Sequence, residues 1–254
     1  MTVHARARLP TFRGLRAFLV TELRVQLHEN MAVATSMTAQ AVLLIFVLIL
    51  APPLLPYALV GALIFSFFTL GQRVWNEAAY VRLDHKLNQL YGASPLAPES
   101  YFLGMAGGVF LAYLPPILVL AGVAEAVLRF SPLLALEVAA TCGAVFLFAA
   151  SFGYVVSTLF RDMRTIWPYA TLFYNLFGVL PPVFYPYPLL HPAFAVPVAL
   201  ALPPSAASAI MQASMFPGIL SAGQVALAAV ALSVEAVGLF LFAVYWARRT
   251  VRER

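Results

Sequence analysis

The chain has 254 residues, of which 63% are hydrophobic and 10% are charged, and its net charge is +5. Soluble domains carry roughly 45–50% apolar and about 25% charged residues, so this composition excludes an ordinary soluble protein. It predicts an integral membrane protein whose basic residues set its orientation rather than bind nucleic acid. The single cysteine, Cys142, excludes an internal disulfide bond and a cysteine-based metal cluster.

The first predicted element is an amphipathic helix over residues 10–30. Its apolar residues recur at spacings of three and four and are Phe12, Leu15, Leu19, Leu23 and Leu27. The basic residues Arg13, Arg24 and His28 lie off this stripe. Such a helix lies along a membrane surface, either as an anchor or as a platform for a cytoplasmic partner.

Six later segments are long and apolar enough to cross a bilayer, which takes about 20 residues. They are Met31–Ala51, Leu54–Gly71, Tyr101–Ala124, Leu133–Phe160, Thr165–Val183 and Gly223–Trp246. If both termini are cytoplasmic, every lysine and arginine except Arg129 falls on the cytoplasmic side. The sequence therefore predicts an all-α, six-span protein of the cell membrane with a single transmembrane domain over residues 1–254. Its one lysine, Lys86, among 15 basic residues favours a prokaryotic source.

Two connections are unusual. Residues 72–100 form the largest predicted cytoplasmic loop, and its middle, Trp75–Leu90, has the composition of a helix. Residues 181–204 hold eight prolines, too many for one continuous helix. We expect the second connection, over residues 184–216, to form short re-entrant helices in the outer leaflet.

The motifs of common catalytic sites are missing from the sequence. The only lysine lies in His85-Lys86-Leu87, so no P-loop is present and any ATP must be bound by another chain. The four histidines show no spacing of a metal site, and no HExxH or GxSxG motif occurs. We therefore expect no catalytic, cofactor or metal residues in this chain.

Three polar residues fall at mid-depth in the predicted spans: Gln40, Asn175 and Glu235. Such groups either hold helices together by hydrogen bonds or face a transport pathway. The carboxyl of Glu235 is protonated, bonded to a neighbour such as Gln40 or Asn175, or exposed to cargo. The aromatic residues Phe184 and Tyr185 of the outer segment complete the candidate pathway residues.

Two stretches of this sequence resemble the type-2 ABC (ATP-binding cassette) export permeases. The first is WNEAAYVRLDHKLNQLYGASPLAPESYFLG, where an acidic residue, a leucine-rich turn and prolines precede a span. It departs from the commonest family form because Ala78-Ala79 follows Glu77 in place of arginine and glycine. The second is GYVVSTLFRDMRTIWPYATLFYNLFGVLPPVFYPYPLL, which has a polar turn, an apolar helix and a Gly-then-Pro exit.

The resemblance implies a docking site for an ATPase in the first stretch. The residues that it assigns to this coupling loop are Glu77, Arg82, Asp84, Leu87 and Leu90. It also assigns a cytoplasmic turn to Arg161, Asp162 and Arg164.

The same resemblance implies a half-channel. Two permease copies, identical or related, would pair in the lipid bilayer, and two separate ATPase subunits would supply ATP and Mg²⁺. The charge-poor spans favour a hydrophobic, lipid-like or drug-like substrate. Export of a polysaccharide or lipid-linked glycan, a secondary transporter or channel, and a membrane scaffold remain the alternatives.

Overall fold

The computed structural model describes residues 11–28, 30–83, 97–190 and 192–252, and every regular element in these ranges is helical. The helices are α1 (Thr11–His28), α2 (Asn30–Thr35), α3 (Thr38–Leu50), α4 (Leu55–Leu83), α5 (Pro98–Leu128), α6 (Pro132–Ser157), α7 (Met163–Val179), α8 (Pro192–Ala201), α9 (Pro203–Met215) and α10 (Ala222–Arg252). Short 3₁₀ turns lie at Pro52–Leu54 and Tyr187–Leu189. The predicted all-α class is thus confirmed for this part of the chain.

Five helical segments of the described chain are long and apolar enough to cross a membrane. They are Val33–Leu50, Pro52–Leu83, Glu99–Leu128, Pro132–Ser157 and Ala222–Arg249. The other predicted span, Thr165–Val183, overlaps α7, which has 17 residues and therefore a length of about 26 Å. That length is at the lower limit for a spanning helix.

Helix α4 lies at the centre of the bundle and does not end at Gly71, where the sequence analysis placed the end of the second span. It continues through Leu83, so part of the predicted cytoplasmic loop belongs to the same helix. The polar residues that suggested the boundary have partners on neighbouring helices. Gln72 Nε2 donates to Thr171 Oγ1 on α7 (3.0 Å), and the Arg73 guanidinium lies over the ring of Tyr113 on α5.

Helices α4 and α6 approach each other closely at two glycines. A Cβ atom on Gly71 would overlap the backbone of Ala149, and one on Gly153 would overlap the carbonyl oxygen of Gly71. Small residues at such crossings let helix backbones pack tightly in the absence of a hydrophobic driving force. Glycine at both positions therefore fixes α6 against the central helix.

Helix α1 packs against α5 by a different face from the predicted stripe. Its buried residues are Gly14, Phe18, Glu22 and Gln26, whereas Leu15, Leu19 and Leu23 are half-buried and Leu27 is exposed. The reason lies on α5, where Gly104 and Gly108 leave room for Phe18 and Glu22. A helix forms where the sequence predicted one, but its buried face differs from the predicted stripe and includes two polar side chains.

The proline-rich connection forms two short helices, as predicted. Helices α8 and α9 have 10 and 13 residues and meet at Leu202. Residues Pro203–Gln212 of α9 are all buried, so this helix lies inside the bundle, against α4, α6 and α10. Its position near the start of α4 is marked by the stacked rings of Tyr57 and Phe216, 4.4 Å apart.

Candidate functional site

The bundle has two ends, which we define by α4. The α1 end comprises α1, the last turns of α4 and the α6–α7 corner (residues 157–162). The short-helix end comprises α8, α9 and the preceding loop (residues 181–187), which lies near the first turns of α4. The predicted coupling residues belong to the first end and the predicted outer residues belong to the second.

Glu77 lies on α4 and joins it to α1. Gln26 Nε2 donates to Glu77 Oε2 (3.3 Å) and to Glu22 Oε1 (2.8 Å). Glu22 and Gln26 are 4% and 5% exposed. One amide thus bridges two carboxyl groups and fastens the amphipathic helix to the central helix.

Arg82 joins α4 to the α6–α7 corner. Its Nη2 donates to the carbonyl oxygens of Ser157 (2.5 Å) and Phe160 (2.7 Å). The last carbonyls of a helix lack partners within the helix, and the helix dipole favours a cation there. The same corner is held by α10, because Trp246 Nε1 donates to Thr158 Oγ1 (3.0 Å).

The other predicted coupling residues, Asp84, Leu87 and Leu90, lie outside the described residues. The two that are described, Glu77 and Arg82, are about one and a half helical turns apart on α4. Each contacts a different neighbouring element. The end of α4 that leads to the predicted docking loop is therefore bonded to both α1 and the α6–α7 corner.

The predicted cytoplasmic turn is the beginning of α7. Asp162 caps this helix: its Oδ1 accepts from Thr165 N (2.8 Å) and its Oδ2 accepts from Thr165 Oγ1 (2.7 Å). The side-chain and backbone hydrogen bonds from Thr165 hold the pKa of the Asp162 carboxyl below its ordinary value. Arg161 and Arg164 flank Asp162 and are exposed.

The three mid-depth polar residues do not form a common site. Gln40 is 2% exposed and faces α4, and its Oε1 has no hydrogen-bond partner within the described residues. Glu235 lies on α10, and its Oε2 is also buried without a partner there. Asn175 is exposed, and its Nδ2 donates to the Thr171 carbonyl of its own helix (2.8 Å). Of the three alternatives for Glu235, the hydrogen bond to Gln40 or Asn175 is not formed between these residues.

Phe184 and Tyr185 lie at the short-helix end. The Phe184 ring packs edge-on against Phe65 at 5.7 Å, and its backbone lies against Gly61. The Tyr185 hydroxyl donates to the Leu180 carbonyl (2.8 Å). Both residues therefore belong to the loop that α9 holds in place.

That loop is held by Gln212 of α9, which is completely buried. Its Nε2 donates to the carbonyls of Tyr185 (3.0 Å) and Pro182 (3.3 Å), and its Oε1 accepts from Tyr187 N (3.0 Å). Ser208 Oγ donates to the Pro182 carbonyl as well (2.6 Å). A proline-rich loop has few backbone donors of its own, so these side chains supply the missing partners.

A row of half-buried aromatic rings follows α6 and α7. Phe148 stacks on Phe152 (6.0 Å), Phe152 stacks on Phe173 (4.4 Å), and Phe173 contacts Phe177 (4.6 Å). All four are partly exposed. We call these four residues the aromatic row.

Sequence reasoning missed four polar residues that join the helices at the two ends, Glu22, Gln26, Ser208 and Gln212, and it missed the aromatic row. The signal was spacing: Glu22 and Gln26, Ser208 and Gln212, Phe148 and Phe152, and Phe173 and Phe177 are each four residues apart, on one face of a helix. Spacing alone does not identify the partner helix, so the contacts became visible only in the folded chain.

Comparison with protein-family models and with curated proteins finds no match to this chain.

Proposed function

We propose that this chain is the permease subunit of an ATP-driven ABC exporter, with six spans and both termini in the cytoplasm. Helix α7 is the fifth of these spans in chain order, since 17 residues lie within the range of spanning helices. Separate ATPase subunits bind ATP and Mg²⁺, because the sequence has no P-loop. The α1 end faces the cytoplasm and the short-helix end faces outward.

The observation that carries the proposal is the set of contacts at the end of α4. The helix leads into the predicted docking loop, and its last turns bond to α1 through Glu77 and to the α6–α7 corner through Arg82. A displacement of the loop would therefore move several spans together. This arrangement suits a protein that is driven from outside the membrane by a partner.

The cargo is hydrophobic, lipid-like or drug-like, and the aromatic row is the surface that receives it. Its four rings are partly exposed and lie on two neighbouring spans. Glu235 adds a carboxyl oxygen without a partner in the described chain, which suits a polar or cationic part of the cargo. Aromatic rings also suit a sugar chain, so glycan export is the second candidate.

A second copy of the chain completes the transporter. Helices α3 and α7 each expose one face of large apolar side chains, and Phe46, Ile49, Trp167 and Leu172 are each more than half exposed. Of residues Val33–Leu50, only 6% are buried in the bundle. We place the partner permease and annular lipid on these two faces.

The ATPase partner is tested by purifying the tagged chain from its native membrane in mild detergent. We expect a P-loop protein to co-purify in equal amount, and the complex, but not the chain alone, to hydrolyse ATP. Ion-driven transport by the chain alone, without ATP, would contradict the proposal.

The docking loop is tested by exchanging Asp84 for arginine, alone and with Glu77→Arg. The double exchange alters the predicted docking loop and also the hydrogen bond from Gln26 to Glu77, whereas Asp84→Arg alters the loop alone. Glu77→Gln, which retains hydrogen bonding, is the matched control. We expect Asp84→Arg to weaken ATPase binding and the control to leave it unchanged; wild-type coupling in the double variant would argue against this docking site.

The topology is tested with reporter fusions. Fusions after Leu90 and after Arg254 should report the cytoplasm, and a fusion near His191 should report the outside. A cytoplasmic signal near His191 would overturn the proposed number of spans.

A further inference from the structure

Two polar side chains interrupt the exposed apolar face of α7. Thr171 and Asn175 are both exposed and lie four residues apart, so they share one side of the helix. The exposed residues beside them, Leu172, Leu176 and Val179, are apolar. The face of α7 is therefore not uniform, because a strip that can form hydrogen bonds runs next to one that suits lipid tails.

Helix α4 presents a matching line of polar residues beside this strip. Thr69, Gln72 and Asn76 lie three and four residues apart and are half-buried, although the residues that follow Thr69 and precede Asn76 are buried. Gln72 Nε2 donates to Thr171 Oγ1 (3.0 Å), so the two lines meet. We call the five residues Thr69, Gln72, Asn76, Thr171 and Asn175 the α4–α7 seam.

The seam has hydrogen-bonding capacity that the described chain does not use. Asn175 Nδ2 donates to the Thr171 carbonyl (2.8 Å), but Asn175 Oδ1 has no partner within the described ranges. The same is true there of Gln72 Oε1 and of Asn76 Oδ1, which is buried. A side-chain amide offers two donors and one acceptor oxygen, so most of these groups still need a partner.

The α7 part of the seam lies within the bilayer if α7 is a span, as the proposed function has it. Thr171 is the middle residue of α7 (Met163–Val179), and Asn175 lies about 6 Å further along the helix. A helix of 17 residues is about 26 Å long, which is shorter than the hydrocarbon layer of about 30 Å. Lipid tails at this depth have no group that can bond to an amide.

Helix α3 provides the contrast within the same chain. From Ala41 to Leu50 every exposed residue is apolar, and Ile45, Phe46 and Ile49 are among them. Such a face is fully compatible with lipid tails. Lipid therefore suits α3, whereas the seam requires a partner that brings hydrogen-bonding groups of its own.

We propose that a second copy of this chain covers the α4–α7 seam with its own seam, across a twofold axis. A twofold contact joins a surface to itself, so it needs a surface that is complementary to itself. The five seam side chains are neutral, and their amide and hydroxyl groups both donate and accept. Arg73, which follows Gln72, is turned toward the Tyr113 ring of α5 and adds no opposing charge to the contact.

This interface rests on the proposed function, from which it takes α7 as a span, and it chooses between the two faces named there. The partner copy contacts α7 and α4, and lipid covers α3. The reciprocal bonds join Asn175 of one copy to the seam amides of the other. The central helix α4, which also bonds to α1 through Glu77, thus belongs to the contact between the two copies.

The contact is tested by cysteine cross-linking in native membranes. Cys142 is the one cysteine of the sequence and is buried, so Cys142→Ala gives a background for single cysteines. In this background we expect Asn175→Cys to form a disulfide-linked dimer on oxidation with copper phenanthroline. Ile49→Cys, on the exposed face of α3, is the control and should remain monomeric. Thr171→Cys serves as the second seam position if Asn175→Cys does not fold.

The hydrogen bonds are tested by energy transfer between labelled copies as the chain is diluted in liposomes. Asn175→Leu should dimerise about tenfold more weakly than the wild type, because the twofold axis removes two interhelical bonds at once. Ser233→Ala is the matched control. Ser233 is also exposed on a spanning helix and donates to a carbonyl of its own helix, that of Ala229 (2.7 Å), so its loss should leave dimerisation unchanged.

Three results would overturn the interface: a wild-type chain that stays monomeric in liposomes, folded Asn175→Leu that dimerises as tightly as the wild type, or cross-linking of Ile49→Cys in place of the seam positions. A cross-link from Asn175→Cys to a protein of different mass would also overturn it and would assign the seam to that protein. Neither measurement needs an ATPase, so failure of ATPase co-purification leaves them unaffected. Whether α7 spans the membrane is decided separately by the reporter fusion near His191.

Discussion

The two ends of α4 are fastened by different chemistry. At the short-helix end a neutral, fully buried amide, Gln212, bonds to the backbone of the loop at residues 181–187. At the α1 end the contacts come from the charged side chains Glu77 and Arg82, which are only partly buried. Both ends use side chains to satisfy backbone or amide groups, but the loop at residues 181–187 is held by neutral groups, whereas the end of α4 is held by charged ones.

The difference has a consequence for how each end responds to its surroundings. A neutral network without access to water has no alternative arrangement of similar free energy, because each lost hydrogen bond leaves a buried group unsatisfied. Charged groups at helix ends are stabilised by the dipole and can be reached by ions or by a protein. The short-helix end should therefore be rigid, and the α1 end should be the adjustable one.

The largest expected effect is from Gln212→Leu. The change removes the bonds to Tyr185, Pro182 and Tyr187 and leaves buried backbone groups without partners, which we expect to cost about 3 kcal/mol. Thermal unfolding in detergent at constant lipid content measures it. Gln224→Leu is the control. It removes the exposed hydrogen bonds from Ser221 at the start of α10 and should change stability little. Equal stability of both variants would remove the basis for calling this end rigid.

Arg82→Met should have the next largest effect. The charged hydrogen bonds to Ser157 and Phe160 are lost, and we expect a cost of about 2 kcal/mol because the site is partly buried. Hydrogen exchange at residues 155–163 should increase, while exchange in α9 stays unchanged. Arg82→Lys restores one point charge and should recover part of the protection; faster exchange in α9 as well would mean that the two ends are not independent.

Glu235→Gln examines a buried group that lies away from both ends. The change removes the charge but keeps the shape, so the melting temperature should stay within about 2 °C of the wild type. If Glu235 contacts a polar or cationic part of the cargo, transport should decrease. Full transport of all substrates by this variant would exclude that contact.

Gln40→Leu gives the corresponding comparison on α3. Since Gln40 Oε1 has no partner in the described chain, replacing the amide with an apolar group should leave stability unchanged or raise it by up to about 1 kcal/mol. The melting temperature in detergent measures this change. A clear loss of stability would indicate that a second chain or a lipid supplies the missing bond.

The fold was largely predictable because bilayer length and hydropathy are strong signals. The all-helical class and five of the six predicted spans correspond to long apolar helices of the described chain. Helix α4 continues past Gly71, where the span was predicted to end, because Gln72 and Arg73 are polar but contact side chains of α7 and α5. A sequence pattern reports polarity along one chain segment and does not report which neighbour satisfies it.

The site was less predictable for the same physical reason. The residue types of the site could be identified from the sequence, but their contacts could not. Glu77, for example, was predicted to contact an ATPase, and in the folded chain it accepts a hydrogen bond from Gln26. Asn175 was predicted to bond to another helix or to face a pathway, and its amide donates to a carbonyl of its own helix. By contrast, at the polar turn predicted at Arg161-Asp162, Asp162 caps the next helix, and such a cap depends on residues only three positions apart.

The smallest effect is expected at that cap, where the charge of the α1 end is fully exposed. The lowered pKa of Asp162 means that its ionised form is favoured in the folded chain, so its stabilising contribution is present above the ordinary value near 3.8 and is lost as the pH falls through the lowered one. Hydrogen exchange at Thr165 and its neighbours should therefore speed up below about pH 4, relative to the exchange of an unstructured peptide, because protonation weakens the bond from Thr165 N. Asp162→Asn keeps a capping oxygen without a titrating group and should lose this pH dependence, whereas Asp162→Ala should show fast exchange at every pH. If hydrogen exchange in Asp162→Asn keeps the wild-type pH dependence, another group titrates at this corner. The response of the α1 end to pH would then come from that group and not from the cap.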